Sequence, residues 1–514
     1  MNERQESVHA MGRVFPEDRY NEELVANVHP PDWRNPEPAE GYHLVVLGAG
    51  TAGLVTAAGA AGIGARVALV ERHLLGGDCL NVGCVPSKCL LRSSRVVFDI
   101  KEAGRYGVNA PAGSGADFPG VMQRMRRLRA RISGHDSVRR FASMGVDVFL
   151  GEAQFAGPDA VEVGGKRLRF SKAVIATGAR AAVPPVEGLR QAGFHTNESV
   201  FSLTELPRRL LVFGAGPIGC EMAQAFRRFG SEVTVIERAS QLLTREDPDA
   251  AAVVSGAFLR DGIDVRLNTG VTGVIATGTE KRVHLRRADG FEDVVITDAI
   301  LIGAGRAPNV EGLNLEGAGV AYDPLKGVGV DDFLRTTNPR IYAAGDVCQA
   351  HKFTHTADAA ARIVIQNALF RGRKRYSALT IPWCTYTDPE IAHVGMYERD
   401  ALERGIPVDT FVREMKEVDR AITDGEEEGF VKVHVRKGTD KILGATIVAR
   451  RAGEMINEIS LAMVGGIGLG TLGGVIHPYP TQPEAIKQVA DLYNRTRLTP
   501  FVRKLLAWWL KWTA

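Results

Sequence analysis

From His43 the chain reads HLVVLGAGTAGLVTAAGAAGIGARVALVER: a short unbroken apolar run, a glycine turn, an alanine-rich stretch of helical length, and a second apolar run closing on Glu71. Short apolar runs bounded by glycine predict strands buried on both faces, and the alanine-rich stretch between them predicts a helix, so this segment is a βαβ unit. The pattern returns at 209–238 as RLLVFGAGPIGCEMAQAFRRFGSEVTVIER, at a constant offset of 166 residues. That offset superimposes Gly48 on Gly214, Gly50 on Gly216, Gly53 on Gly219 and Glu71 on Glu237. The chain carries two copies of one unit.

A single GxGxxG is weak evidence, because glycine turns are common. Here both copies follow a strand, open a helix and place an acidic residue about 20 positions on, which is the dinucleotide fingerprint. The glycines let the backbone approach a pyrophosphate at a helix N-terminus, and the carboxylate accepts from an adenine ribose. Two dinucleotides are expected.

Length and composition narrow the class. A chain of 514 residues should form about three domains at ~150 residues each. Residues 1–40 are polar and hold Pro30, Pro31, Pro36 and Pro38, which predicts an extended arm. Hydrophobic residues make up 45% and charged residues 24%, the mean hydropathy is −0.06, and no apolar run is long enough for a bilayer. A net charge of +3 gives no reason to expect nucleic acid. The start, MNERQESVHAMGRVF, has no apolar core of a signal peptide, so the cytoplasm is the expected compartment.

In that compartment a close cysteine pair points to catalysis or metal more than to a permanent staple. Cys79 and Cys84, in GGDCLNVGCVPSK at 76–88, follow directly on the first unit and so lie near the reactive end of its cofactor. A zinc site needs about four ligands, and no second pair lies nearby; no metal site is expected. Cys89, Cys220, Cys348 and Cys384 are isolated and expected as small buried residues.

With ATGAR at 176–180, LIGAGRAPN at 301–309, IYAAGDV at 341–347, FTHTA at 353–357 and PWCTYTDPEIAHVG at 382–395, the cysteine motif resembles the flavin-dependent pyridine nucleotide-disulfide oxidoreductases from residue 42 to about 495. The resemblance implies an α/β fold of two Rossmann-like dinucleotide-binding domains and a C-terminal α+β dimerisation domain. Its expected divisions are 41–185 with 305–372 for FAD, 186–304 for NAD(P), 373–496 for dimerisation, and 497–514 as an appended helix. It implies FAD on Gly48, Gly50, Gly53 and Glu71, with Asp346 near the ribityl chain and Thr177, Gly178 and His355 at the cofactor. It implies a nicotinamide cofactor on Gly214, Gly216, Gly219 and Glu237, with Gly305 beside it; Glu237 favours NADH over NADPH. Cys84 would be the flavin-proximal thiolate and Cys79 the interchange thiol, with Lys88 and Glu221 as an ion pair at the flavin. Asp78 departs from the threonine common in the family.

The resemblance also implies a homodimer that lends a residue to its partner's disulfide site. Disulfide-reducing relatives place a histidine there, before Pro-Thr and five residues ahead of a glutamate. HPYPTQPE at 477–484 keeps Glu484 but has Tyr479 at that position, with His477 two residues early. Tyrosine there resembles mercuric reductase, making a metal-ion acceptor the favoured substrate and a dihydrolipoyl dehydrogenase-type small-molecule disulfide the alternative. No cysteine precedes Cys79 or follows Cys384, so the metal relay of that branch is expected to be incomplete. FVRKLLAWWLKW at 501–512 is a basic amphipathic segment, expected either at an anionic membrane surface or docked on the dimer. A membrane-docked redox sensor is the reading from another class.

Overall fold

The structure, a computed structural model, describes residues 13–111 and 113–513. They form two compact units. One runs up to Ser240 and resumes over Asp261–Leu379; the other joins Gln241–Arg260 to the chain from Thr380 onward. Residues 241–260, expected inside the NAD(P) domain, belong to the second unit because polar contacts hold them there. Glu246 accepts from Trp383 Nε1 at 2.9 Å and from Tyr397 OH at 2.6 Å, and Lys432 Nζ pairs with Asp247 at 2.7 Å and Asp249 at 2.8 Å.

In the first unit the expected arm contains a helix, α1 (Arg19–Val28), capped by Asp18, whose carboxylate accepts from the Tyr20 and Asn21 amides. The arm reading fails here because Leu24 and Val28 find a core: both are fully buried in the cluster that also takes Leu44 and Leu69. The first βαβ unit follows as β1 (Tyr42–Leu47), α2 (Thr51–Gly62) and β2 (Val67–Glu71). The cysteine helix α3 (Cys84–Lys101) and α4 (Phe118–Ser133) come next, then β3 (Val146–Leu150) and β4 (Lys166–Ile175). The parallel strands order as β3-β2-β1-β4, with Ile341–Ala343 parallel on the end of β4. β1 pairs Leu44 with Val67 and Leu47 with Val70; nearly every residue of both strands is buried, as an interior parallel strand requires. Gly48 and Glu71 thus lie at the carboxyl ends of neighbouring strands, where such sheets bind ligands.

The second copy is β5 (Arg209–Phe213), α5 (Pro217–Phe229) and β6 (Glu232–Ile236), in a parallel sheet flanked by Asp264–Arg266 and Ala299–Ile302. The other unit is a five-stranded antiparallel sheet in the order Pro382–Thr385, Glu390–Gly395, Ile442–Ala449, Phe430–Arg436, Val408–Glu414. Helices Ala452–Val464 and Glu484–Thr496 supply Ile456, Ile459, Ile486 and Val489 to its core. Helix Pro500–Thr513 buries none of its residues. Among the described residues no helix is long and apolar enough to cross a membrane.

Candidate functional site

The two glycine turns are built alike to the atom. Gly48 and Gly214 take φ of +99° and +104°, values that disfavour any residue with a Cβ. A Cβ on Gly53 would stand 1.8 Å from the Gly48 carbonyl oxygen, and one on Gly219 would stand 2.0 Å from that of Gly214, so strand and helix meet only through bare glycine. Glu71 accepts from the Ala49 amide at 2.6 Å and the His73 amide at 2.8 Å. Glu237 repeats this with Ala215 at 2.8 Å and Ala239 at 2.9 Å. Each turn therefore offers backbone N–H groups at a helix start with a fixed carboxylate beside it, a donor set that fits a dinucleotide. Burial pushes the Glu71 carboxyl above its usual range.

The thiols are set by the next element. Cys84 is the first residue of α3, where the helix dipole favours an anion, and Cys79 lies in the one-turn helix Gly77–Asn81 just ahead. Both are free thiols. Cys79 donates to Cys84, and this bond, aided by Thr354 and the Lys88 charge, lowers the Cys84 thiol to about 6. The same donation, with burial, pushes Cys79 far above the ordinary thiol range. Cys84 Sγ lies 3.4 Å from Thr354 Oγ1. Lys88, one turn into α3, pairs with Glu221 of α5 at 2.9 Å, and Glu221 is buried. The second dinucleotide unit is thereby tied to the cysteine helix.

Asp78 finds its partner in Arg306, whose guanidinium also donates to the Ala179 carbonyl at 2.6 Å and sits 3.2 Å from Asp346. Burial raises the Asp78 carboxyl while the Arg306 charge opposes it. Thr177 and Asn309 exchange hydrogen bonds at 2.7 and 2.9 Å, and Gly178 and Gly305 bracket the paired strands Ala179–Ala181 and Arg306–Pro308. His355 is exposed at the start of helix Thr354–Leu369, stacked on Phe353. Arg306 and Thr354 are contributions that sequence reasoning passed over; the only signal was their position inside quoted loop motifs.

In the second unit Tyr479 is exposed and its hydroxyl donates to Asp419 at 2.9 Å, which raises the phenol. His477 is turned away: Nε2 meets Glu458 at 3.0 Å and Nδ1 meets the Val475 carbonyl at 3.2 Å, and the side chain is nearly buried. Glu484 Oε2 is buried without a hydrogen-bond partner. Of the remaining cysteines only Cys220 is fully buried; Cys89, Cys348 and Cys384 are half-buried, a correction to the expectation for all four. Cys220 lies among the buried residues of α5. Among the described residues no group of three or more His, Cys, Asp or Glu side chains is placed to hold a metal ion.

Two dinucleotide turns joined by an ion pair to a thiol/thiolate couple define a two-electron oxidoreductase that works through paired sulfurs. The comparisons make the class specific: residues 42–361 match the pyridine nucleotide-disulphide oxidoreductase family and residues 381–490 match that family's dimerisation domain. The chain belongs to this family. It is 33% identical over 456 residues to a mercuric reductase of Lysinibacillus sphaericus, covering 89% of this chain and 83% of that one. It is 34% identical over 472 residues to a dihydrolipoyl dehydrogenase of Thermus scotoductus, covering 88% and 98%. The HOCl-induced flavoprotein disulfide reductase RclA from Escherichia coli superposes with a TM-score of 0.79 at 30% identity, over 88% of this chain and all of that one. The protein is an FAD- and NAD(P)H-dependent disulfide oxidoreductase with a C-terminal dimerisation domain.

Proposed function

We propose that the enzyme reduces a soft metal ion, with Hg(II) as the type case, in the cytoplasm as a homodimer. The observation that carries this is Tyr479, an exposed phenol held by Asp419 where disulfide-reducing relatives carry histidine. Bound FAD supplies two-electron transfer between nicotinamide and sulfur. Gly48, Gly50, Gly53 and Glu71 would hold it, with Asp346, itself paired with Arg306, and the Lys88–Glu221 pair as its further polar partners. Cys84 enters as thiolate, Cys79 gives up its proton on binding metal, and two thiolates suit a soft cation. The sum is balanced: NADH and Hg(II) yield NAD⁺, a proton and Hg(0). The test reduces the enzyme anaerobically with NADH and then offers Hg(II), lipoamide or glutathione disulfide. Faster reoxidation by Hg(II) is the expected result; faster reoxidation by lipoamide would replace this reading with the dihydrolipoyl dehydrogenase type, which the retained Glu484 favours.

NADH is the proposed donor. Glu237, fixed by two backbone amides, accepts from a ribose hydroxyl and repels a 2′-phosphate. Like charges in contact are costly enough that kcat/KM for NADH should exceed that for NADPH by about tenfold. The opposite order would sink the assignment.

The C-terminal helix is proposed to rest on an anionic membrane. Phe501, Trp508 and Trp512 are 73, 61 and 72% exposed, while Arg503, Lys504 and Lys511 supply positive charge. Deleting 499–514 should leave FAD content unchanged and abolish salt-sensitive sedimentation with anionic vesicles. Retained sedimentation, or loss of the dimer in its place, would assign the helix to the dimer.

A further inference from the structure

Behind the thiol loop lies a chain of buried polar contacts that begins outside residues 42–361 and 381–490, the parts that match the family. Asn81 stands between Cys79 and Cys84, and its carbonyl accepts from Arg129 Nη1 at 2.7 Å. Arg129 Nη2 donates to the side-chain oxygen of Asn21 on α1, also at 2.7 Å. Asn21, Arg129 and Asn81 are all buried. The Asn81 amide nitrogen closes the loop on itself, donating to the carbonyls of Leu75 at 3.0 Å and Gly77 at 2.9 Å. Two further contacts come from the same N-terminal segment: the Leu75 amide donates to the Val28 carbonyl at 3.1 Å, and His29 Nδ1 meets the His73 carbonyl. The segment itself is fixed on α4, where Asp18 pairs with Arg126 at 2.6 Å and Asn27 donates to Ser133 at 2.9 Å. Residues 73–81 are thus held at two points directly, and at a third through Arg129, by a segment that carries none of the expected site residues.

Arg129 contacts two neutral oxygens. Burial, and then the neighbouring Arg126 charge, lower it to about 10, so it stays charged at neutral pH and its fork geometry decides where the Asn81 carbonyl sits. We propose that Asn21 and Arg129 are positioning residues that set the redox equilibrium of the Cys79–Cys84 pair by holding Asn81. Forming the disulfide removes two protons and two electrons from the thiols, and its stability depends on how well one sulfur is kept at the other. A loop pinned at its midpoint keeps them adjacent. An unpinned loop separates them part of the time, which costs the disulfide, a covalent contact, more than it costs the reduced pair, which loses only the hydrogen bond from Cys79 to Cys84.

The experiment equilibrates the holoenzyme with buffers of reduced and oxidised dithiothreitol, the reduced reagent giving two electrons and two protons to the enzyme disulfide. After acid quench and alkylation, the peptide carrying residues 79 and 84 is weighed. Asn21→Ala and Arg129→Lys should each lower the equilibrium constant for disulfide formation about tenfold, which is ~30 mV for a two-electron couple. Asn35→Ala is the control: it lies in the same segment, but its side chain exchanges hydrogen bonds with Leu150, at 2.8 Å each way, and not with the thiol loop. It should lower the Tm and leave the constant within about twofold of wild type. An Asn21→Ala constant that also stays within twofold would overturn the proposal, as would an Asn35→Ala shift of equal size. Should Arg129→Lys fail to fold, Asn21→Ala decides alone.

Discussion

In flavin-free, fully reduced protein, the thiolate ultraviolet absorbance that distinguishes wild type from Cys84→Ser is expected to titrate near pH 6. The sign follows from the lowered thiol: above pH 6 Cys84 is mostly thiolate, about nine-tenths at pH 7, and below it the thiolate is lost about tenfold per unit. Cys79 stays protonated throughout, because losing its proton would both break its donation to Cys84 and set two negative sulfurs side by side. Cys79→Ala removes the largest stabilising contribution and should move the titration up toward the ordinary thiol range. Cys79→Ser keeps a donor and should move it little. Lys88→Met should also move it up, and Glu221→Gln down, since the first removes a cation and the second an anion. In the holoenzyme, loss of either sulfur should reduce turnover with Hg(II) or a disulfide acceptor by at least about a thousandfold, since such acceptors react at the paired sulfurs. A Cys84→Ser protein that retained the titration would assign the thiolate to Cys79 and reverse the two roles.

Replacing Tyr479 with histidine should raise lipoamide-dependent turnover about tenfold or more, because positioned acid–base catalysis contributes ~10²–10⁴-fold. As it stands the phenol is a poor base at neutral pH, and its bond to Asp419 makes it poorer. Glu484, whose charge acts on the Tyr479 phenol and whose Oε2 is buried without a hydrogen-bond partner, is expected to orient an imidazole at 479. His477 is no substitute, since both its ring nitrogens are already committed. Tyr479→His with Glu484→Gln should lose most of the gain, and His477→Ala should leave lipoamide turnover near its original level. Fast wild-type lipoamide reduction that disappears in His477→Ala would refute this account of the loop. Turnover with Hg(II) should change less in Tyr479→His, because metal capture needs sulfur more than a proton carrier.

The two dinucleotide units were fully legible in the chain. Their strands are apolar runs, their turns need glycine at stated spacings, and a 166-residue offset repeats every element. Such features are local, so periodicity and backbone sterics alone determine them, as the matching hydrogen bonds of Glu71 and Glu237 illustrate. Cys79 and Cys84 were legible for the same reason: they follow a strand end whose place in the sheet is known once the strand is. Other features depended on contacts between distant parts of the chain, which no short window records. Residues 1–40 read as an extended arm because they are polar and hold four prolines between Pro30 and Pro38, yet Leu24 and Val28 are buried by helices and strands far along the sequence. Arg306 reaches Asp78 across 228 positions, and Arg129 reaches Asn21 across 108. Both arginines read as ordinary charges until the fold removes them from water and directs them to these oxygens. Sequence by itself determined the cofactor folds, the paired sulfurs and the family. Tertiary structure decided which thiol is ionised, which loop residues are committed and what braces them, because proton affinity and orientation depend on burial and on partners brought from elsewhere in the chain.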